Sequence, residues 1–278
     1  MGSCCCIQKS LKVSPTDFAS SLPDGIVNIV EESDPKRINE FADLVSESFC
    51  GTTTTPPEPI MAWTYDHGDG TFELDAGTAS GEILKKVPSL ERTEYFRFIG
   101  HFITHQCLRH GGCYALEDTD GKLCAAAITI PPNANAVWDI GLCEMMMIIE
   151  KMGGDSKIPE RMNKGISKDK MDQVEKIMQI AHKNHAPSKH LYLYVLATKP
   201  EVQGKGYGSK LLKFINNAAT FQHVPAYLET SGKKNEEFYL SRGWIVAGRY
   251  PLSVKGYKLK ADADDTEGNL LAMTKPVY

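Results

Sequence analysis

The sequence predicts an α/β fold, a central sheet of about seven strands flanked by helices, on three observations. Short apolar runs of period two recur along the chain, longer runs with helical spacing lie between them, and a strand, glycine-rich turn and helix follow one another over residues 190–221. The 278 residues, 42% hydrophobic and 24% charged, can bury a sizeable core in one large domain. That domain is expected over residues 25–278, behind a disordered tail of residues 1–24.

Residues 26–30, Ile-Val-Asn-Ile-Val, can form a first strand. Asp34 then stands as an N-cap with Pro35 at the first helical position, and Ile38, Phe41, Val45 and Phe49 mark one face of a helix. Residues 51–81 are rich in Thr, Pro, Gly and Asp, have no sustained period and read as a long loop. Within it, Asp66-His67-Gly68-Asp69-Gly70 lacks the ligand spacing of a calcium loop and reads as turns. Ser89 can cap a second helix carrying Tyr95, Phe98, Ile99 and Phe102, which stops near Gly111 and Gly112. His101 and His105 lie four apart on it, but without a glutamate in between or a third ligand they read as a packed or solvated pair, so no metal is expected. Residues 113–117 and 123–130 flank Asp118-Thr119-Asp120-Gly121-Lys122 as a hairpin, ended by Pro131-Pro132.

A helical insert follows over about residues 133–189, before the fourth strand. Residues 140–152 form an apolar helical stretch in which Met145-Met146-Met147 reads as core filling. After a Gly/Lys-rich break, Met171, Val174, Met178 and Ala181 mark a second amphipathic helix, capped at Ser167 or Asp169. Its lysines read as a solvated face or as a contact with anionic lipid.

In the fourth strand, Leu191, Leu193 and Val195 alternate with Tyr192, Tyr194 and Leu196, one face buried and the other aromatic, and the strand ends near Thr198. Pro200 cannot continue a ladder. Gln203-Gly204-Lys205-Gly206-Tyr207-Gly208 then sets three glycines in six residues directly before Leu211, Leu212, Ile215, Ala218 and Ala219, a helical pattern. Glycines allow close approach of backbone to ligand, and a helix start offers unpaired amides and the positive dipole end, so this turn reads as a phosphate site. It is neither a Walker loop, which needs Lys followed by Ser or Thr, nor a dinucleotide fingerprint, whose glycines are spaced differently. Residues 244–250 and 270–274 supply the last two strands, joined by an acidic excursion over residues 262–268.

Gln203, Gly206 and Gly208 match Q-x-x-G-x-G, and beyond them come Ala226-Tyr227-Leu228-Glu229-Thr230, Asn235, Phe238-Tyr239 and Arg242-Gly243-Trp244. Over residues 190–250 the chain resembles the GNAT superfamily of N-acetyltransferases. The resemblance implies a mixed, twisted sheet and acetyl-CoA as co-substrate. It implies that Gln203, Gly204, Lys205, Gly206, Tyr207 and Gly208 hold the pyrophosphate, Lys205 adding charge. It implies that Leu196, Ala197 and Thr198 present a free strand edge to pantetheine, where an amide polarises the thioester carbonyl. Asn235 is expected to contact the coenzyme or orient its helix. Tyr239, at the N-x-x-x-Y position, is expected to protonate the leaving thiolate, with packing beneath the sheet as its alternative role. Many members carry a glutamate on the fourth strand. Tyr192 and Tyr194 stand there instead, which leaves Glu229 as candidate general base, directly or through water, or as a structural hydrogen-bond partner.

The expected reaction is acetyl transfer to an amine acceptor, small molecule or peptide, by direct attack on the thioester, since no motif places a cysteine as nucleophile. The alternative is a membrane-anchored acyl-CoA-binding or sensing module. Net charge is −4, so no bulk attraction to nucleic acid is implied. Residues 17–94 carry sixteen Asp/Glu against five Lys/Arg, which favours a cationic amine but equally describes a solvated acidic surface.

Gly2 followed by Cys4, Cys5 and Cys6 resembles a dual acylation signal, myristate on Gly2 and palmitate on the thiols, although Cys6 stands where Ser or Thr is preferred. Two such lipids would anchor the chain stably at a membrane surface. No run of eighteen apolar residues is present. Cys50, Cys107, Cys113, Cys124 and Cys143, scattered and without C-x-x-C spacing, read as reduced core residues of an intracellular protein, anchored to the cytoplasmic face of a membrane or free in the cytoplasm.

Overall fold

The computed structural model describes residues 22–53, 55, 57–65, 89–109, 112–132, 142–154, 158–163, 165–187, 189–255, 257–258 and 269–277. The Gly2 and Cys4–6 signal, the Asp66–Gly70 turns and the acidic excursion of residues 262–268 lie outside them. The chain folds as an α/β domain around a seven-stranded mixed sheet. Its strands are β1 (Ile26–Ile29), β2 (Cys113–Glu117), β3 (Leu123–Ile130), β4 (Leu191–Thr198), β5 (Ala226–Ser231), β6 (Ile245–Pro251) and β9 (Asn269–Lys275), and their order is β1-β2-β3-β4-β5-β9-β6. A separate two-stranded hairpin pairs β7 (Ser253–Val254) with β8 (Tyr257–Lys258).

Local chemistry explains the elements that start the fold. Asp34 Oδ1 accepts from Lys36 N, and Pro35 opens α1 (Pro35–Cys50). Ser89 Oγ accepts from Arg92 N at the start of α3 (Leu90–Leu108). Asp118 Oδ1 accepts from Asp120 N and Lys122 N and so turns β2 into β3. The Thr/Pro-rich stretch expected to be a loop contains α2 (Pro59–Tyr65). Glu58 caps it, its Oε2 accepting from Met61 N at 2.8 Å, and Pro59 fits the first position because no amide is needed there.

The sheet carries a helical layer on each face. On one face α1, α2, α3 and α6 (Gly165–His185) pack over Phe41, Tyr95, Phe96, Ile128 and Tyr192. On the other, α7 (Tyr207–Phe221) and α8 (Lys233–Leu240) cover Leu191, Leu193, Leu228, Leu271 and Trp244. The insert before β4 holds α4 (Leu142–Lys151), α5 (Glu160–Asn163) and α6. Met146 and Met147 on α4 are exposed, so they do not fill the core as their apolarity suggests. Ser167 does not cap α6, which begins at Gly165. Its buried hydroxyl instead donates to Tyr65 O at the end of α2, where Arg161 Nη1 also donates, so the insert satisfies the open carbonyl end of α2. Gly248 lets α6 lie against β6, because a Cβ there would come within 2.3 Å of His185 Nε2.

Two irregularities in β4 shape everything that follows. Against β3 its register shifts between Ile128 and Thr129, which pair with Val195 and Leu193, so Tyr194 is an extra residue, a β-bulge. The bulge reverses the phase of the strand. Leu191 and Leu193 face α7, but Val195 joins Tyr192 and Ala197 on the α1 face rather than continuing the leucine face as strict alternation requires. Against β5 the pairing is parallel and covers only Leu191 with Ala226 and Tyr192 with Tyr227, whereas β5 runs paired with β9 from Ala226 to Ser231. Beyond Tyr192 the two central strands therefore part.

Candidate active site

Where β4 and β5 part they leave a cleft of about 630 Å³. One wall is β4 from Leu193 to Thr198, whose ladder edge toward β5 is open, the opposite wall is Glu229, Thr230 and Ser231 of β5, and the glycine turn and α8 close one end. The cleft brings together Leu196, Ala197, Thr198, Gln203, Gly204, Gly206, Tyr207, Gly208, Glu229, Asn235 and Tyr239. Lys205 stands exposed on the same turn.

The turn is built to leave amides unfilled. Gly204 and Gly206 have φ of +79° and +88°, which side chains rarely adopt, and Gly206 is the N-cap of α7 with no side chain to cap it. The first-turn amides of α7 thus face the cleft end with the positive helix pole behind them. Gln203 N and Lys205 N are not among them, because they donate to Pro200 O and Val202 O within the turn. Gln203 Nε2 donates to Thr198 O and ties the turn to the end of β4. At Gly208 a Cβ would lie 2.8 Å from Thr198 Oγ1, so only glycine lets the helix start this close to the strand. Gly208→Val is expected to weaken acetyl-CoA binding roughly 10- to 100-fold, the equivalent of one or two charge-assisted hydrogen bonds at about 1.5–3 kcal/mol. Isothermal titration measures it, and an unchanged Kd would show that the coenzyme binds elsewhere.

Tyr239 is buried against Trp244 and Phe238, with ring centroids at 5.7 and 5.1 Å, and lines the cleft. Burial pushes its phenol well above the ordinary tyrosine range, the nearby Arg242 opposing and Glu58 reinforcing that shift. Asn235 Nδ2 donates to Ser231 O at 2.9 Å, which holds α8 to the end of β5. Arg242 stacks over Phe238 and donates to Ser209 Oγ, joining α8 to the first turn of α7.

Glu229 is the most perturbed carboxyl of the cleft. Its side chain is 2% exposed, and burial pushes it up to about 7, while hydrogen bonds from Tyr192 and Tyr227 oppose the shift. Tyr192 Oη donates to Glu229 Oε2 at 2.6 Å, and His182 Nδ1 of α6 lies 3.9 Å from Oε1. Sequence reasoning missed Glu58, whose carboxyl also lines the cleft and which burial likewise holds above the carboxylate range. Ser231 Oγ donates to its Oε1 at 3.2 Å, so Glu58 joins α2 to β5. Glu58-Pro59, an acceptor followed by an N1 proline, was the signal for it. Around these carboxyls the wall is Phe49, Met61, Ile103, Met178 and Tyr194. Among the described residues no thiol lines the cleft; Cys107 and Cys113 are buried and held protonated by that burial, whereas Cys143 on α4 is exposed and not the core residue expected. His101 Nε2 is paired with Asp43 Oδ1 at 2.8 Å, and among the described residues no group of three or more His, Cys, Asp or Glu could hold a metal.

A strand edge freed by splaying, a glycine-led helix start and a buried carboxyl between them meet in one cleft. Residues 167–246, from α6 into β6, match the acetyltransferase (GNAT) domain family model. Solved structures agree on the fold. Arylalkylamine N-acetyltransferase 2 from Aedes aegypti superposes with a TM-score of 0.53 at 13% identity, over 91% of this chain and 98% of that one. The C-terminal condensation domain of Ebony, in complex with beta-alanyl-dopamine, gives 0.54 at 10% identity over the same shares. No curated protein matches the chain. Among the described residues no helix is long and apolar enough to cross a membrane.

Proposed function

We propose that the protein transfers the acetyl group of acetyl-CoA to a primary amine by direct attack on the thioester, with Glu229 as general base and Tyr239 as general acid. The observation that carries this reading is the position of Glu229, a buried carboxyl at the parting of β4 and β5 whose affinity for a proton is set near neutrality. Acetyl-CoA supplies the activated acyl group. The first-turn amides of α7 hold its pyrophosphate, Lys205 adds positive charge, and the edge from Leu196 to Thr198 binds pantetheine and aims an amide at the thioester oxygen. Asn235 and Glu58 hold the walls of the cleft.

Protons then balance as follows. The acceptor arrives as an ammonium ion, and its N–H proton passes to the Glu229 carboxylate. The freed amine forms the N–C bond, the C–S bond breaks, the coenzyme thiolate takes the Tyr239 proton, and the second proton of the now acylated nitrogen returns to the Tyr239 phenolate through water, which leaves a neutral amide, a thiol and one proton on Glu229. The described residues of the cleft lining include no thiol, which suits transfer without an acyl-enzyme. The apolar wall of Phe49, Met61, Ile103 and Met178 suits an acceptor with an apolar or aromatic body, a class that the named Aedes aegypti structure also suggests.

Thiol release from acetyl-CoA, measured against arylalkylamines, polyamines, amino acids and peptide amino termini, tests the proposal. Release dependent on one amine class supports it. Acetyl-CoA binding without release on any amine would leave an acyl-CoA-binding module instead. We also propose acylation of Gly2 and of Cys4, Cys5 and Cys6, which would place the enzyme at a membrane surface. In cells fed alkyne fatty acids, the chain should take up myristate, lost in Gly2→Ala, and palmitate, lost when the three cysteines become serine. Unlabelled chain in both cases would remove the membrane from the account.

A further inference from the structure

The proposed reaction releases one proton per turnover, because an ammonium ion enters and an amide and a thiol leave. That proton lands on Glu229, whose side chain is 2% exposed, and with both substrates in the cleft the route back through the cleft is filled. A second neighbour of the carboxyl lies outside the cleft lining. His182 Nδ1 is buried and lies 3.9 Å from Glu229 Oε1, while the His182 side chain keeps 18% of its surface exposed. His182 is not among the described residues that line the cleft, so its exposed surface offers a path that does not run through it.

The surroundings of His182 suit passage of a proton better than storage of one. The rings of His190, Tyr192 and Tyr227 stand at 4.8, 5.0 and 4.9 Å from it, each edge-on. It is thus faced by His190 just before β4 and Tyr192 within it, from β5 by Glu229 and Tyr227, and Tyr250 of β6 acts on Tyr227 behind them. On its own helix Asn184 and His185 turn toward Tyr250. Lys170 meets Trp63 and Ser167 meets Tyr65 three or more turns earlier, at α2. Glu229 is the one carboxylate in this set, and His190 is fixed through Nδ1 to Pro187 O at 2.7 Å. Burial and His190 lower the His182 affinity for a proton to about pH 4, so the ring is neutral at rest. A neutral imidazole can accept a proton on one nitrogen and release another from the second. The 3.9 Å separation exceeds a hydrogen bond, and such contacts tighten when substrates close a site.

We propose that His182, carried on the insert helix α6, is the outlet through which Glu229 returns its proton to solvent during turnover. The Glu229 O–H bond breaks as the Nδ1–H bond of His182 forms, the Nε2 proton passes to water, and exchange with water restores the starting tautomer. His182 does not touch substrate, so it is a positioning and proton-passing residue. This inference rests on the reading of Glu229 as base.

The test compares wild type, His182→Gln and Glu229→Gln as full chains. In His182→Gln, kcat should fall about tenfold with both KM values unchanged, since loss of proton release slows regeneration and not binding. Added imidazole should restore that rate in proportion to its concentration while leaving wild type unaffected. Nuclear magnetic resonance of labelled histidines supplies a readout independent of turnover. The His182 ring signals should show a step near pH 7, from Glu229 titrating beside it, and this step should vanish in Glu229→Gln. Wild-type kcat in His182→Gln, a loss that imidazole does not repair, or no step near pH 7 overturns the outlet. If Glu229→Gln keeps full turnover, the base assignment itself fails and the outlet with it. Loss in Glu229→Gln with none in His182→Gln removes the outlet alone.

Discussion

Glu229→Gln is expected to lower kcat by roughly 10²- to 10⁴-fold, the usual contribution of a general base, while making the fold more stable above neutral pH. Both effects come from the same burial. The ionised carboxylate is the active form, so in wild type kcat/KM should climb as pH rises through about 7 and level off above it. The stability effect has the opposite sign. Because the folded-state pKa of Glu229 is raised from 4.5 to about 7, the native chain holds a proton there that the unfolded chain has already lost across that window. Stability therefore falls as pH rises from 4.5 to 7, by on the order of 3 kcal/mol if the whole shift is realised. Gln resembles the protonated acid and can still accept from Tyr192 Oη. The variant should match wild type in Tm near pH 4 and exceed it by several degrees at pH 8. An inactive variant with no gain at pH 8 would mean that Glu229 is not strained by ionisation; an active one would remove it from the chemistry.

The same residue shows how much could be read before the structure. Its position at the end of β5 follows from a five-residue apolar pattern and the resemblance, but its environment is assembled from three distant segments. Tyr192 comes from β4 and His182 from α6, and no spacing rule links residue 182 to residue 229. The glycine turn was legible because its chemistry is local: positive φ, close approach to Thr198 and a helix start all lie within eleven residues, 198–208. The bulge at Tyr194 was not, since alternation along Leu191 to Leu196 is as good as a regular strand and only the partner β3 reveals the extra residue. The helix α2 was hidden for a related reason. Seven residues are too few for periodicity to show, and this one is held by tertiary contacts, from Ser231 at Glu58 and from Arg161 and Ser167 at Tyr65. Burial of Ser167 and Arg161 then serves α2 rather than α6, which is why a capping rule applied to the insert placed the right residue in the wrong role.

Tyr239→Phe should cost roughly 10²-fold in kcat with little change in acetyl-CoA affinity. Two aromatic neighbours hold the Tyr239 side chain. Its ring packs edge-on with Trp244 and Phe238, contacts that phenylalanine keeps, so the fold should lose less than about 1 kcal/mol. Tyr239 lines the cleft, from which the coenzyme sulfur leaves in the proposed reaction. Burial raises the phenol well above its ordinary range, which keeps the proton in place at every working pH and makes it a donor to thiolate rather than a source of phenolate. Removal of the proton should therefore slow the breaking of the C–S bond and leave earlier binding untouched. It predicts a second signature: with acyl donors whose thiol leaves as a more stable anion, the gap between Tyr239→Phe and wild type should narrow, because such a group needs less help from an acid. A variant that loses coenzyme affinity and kcat together, with the same deficit on every thioester, would assign Tyr239 to packing beneath the sheet and leave the thiolate to be protonated by solvent.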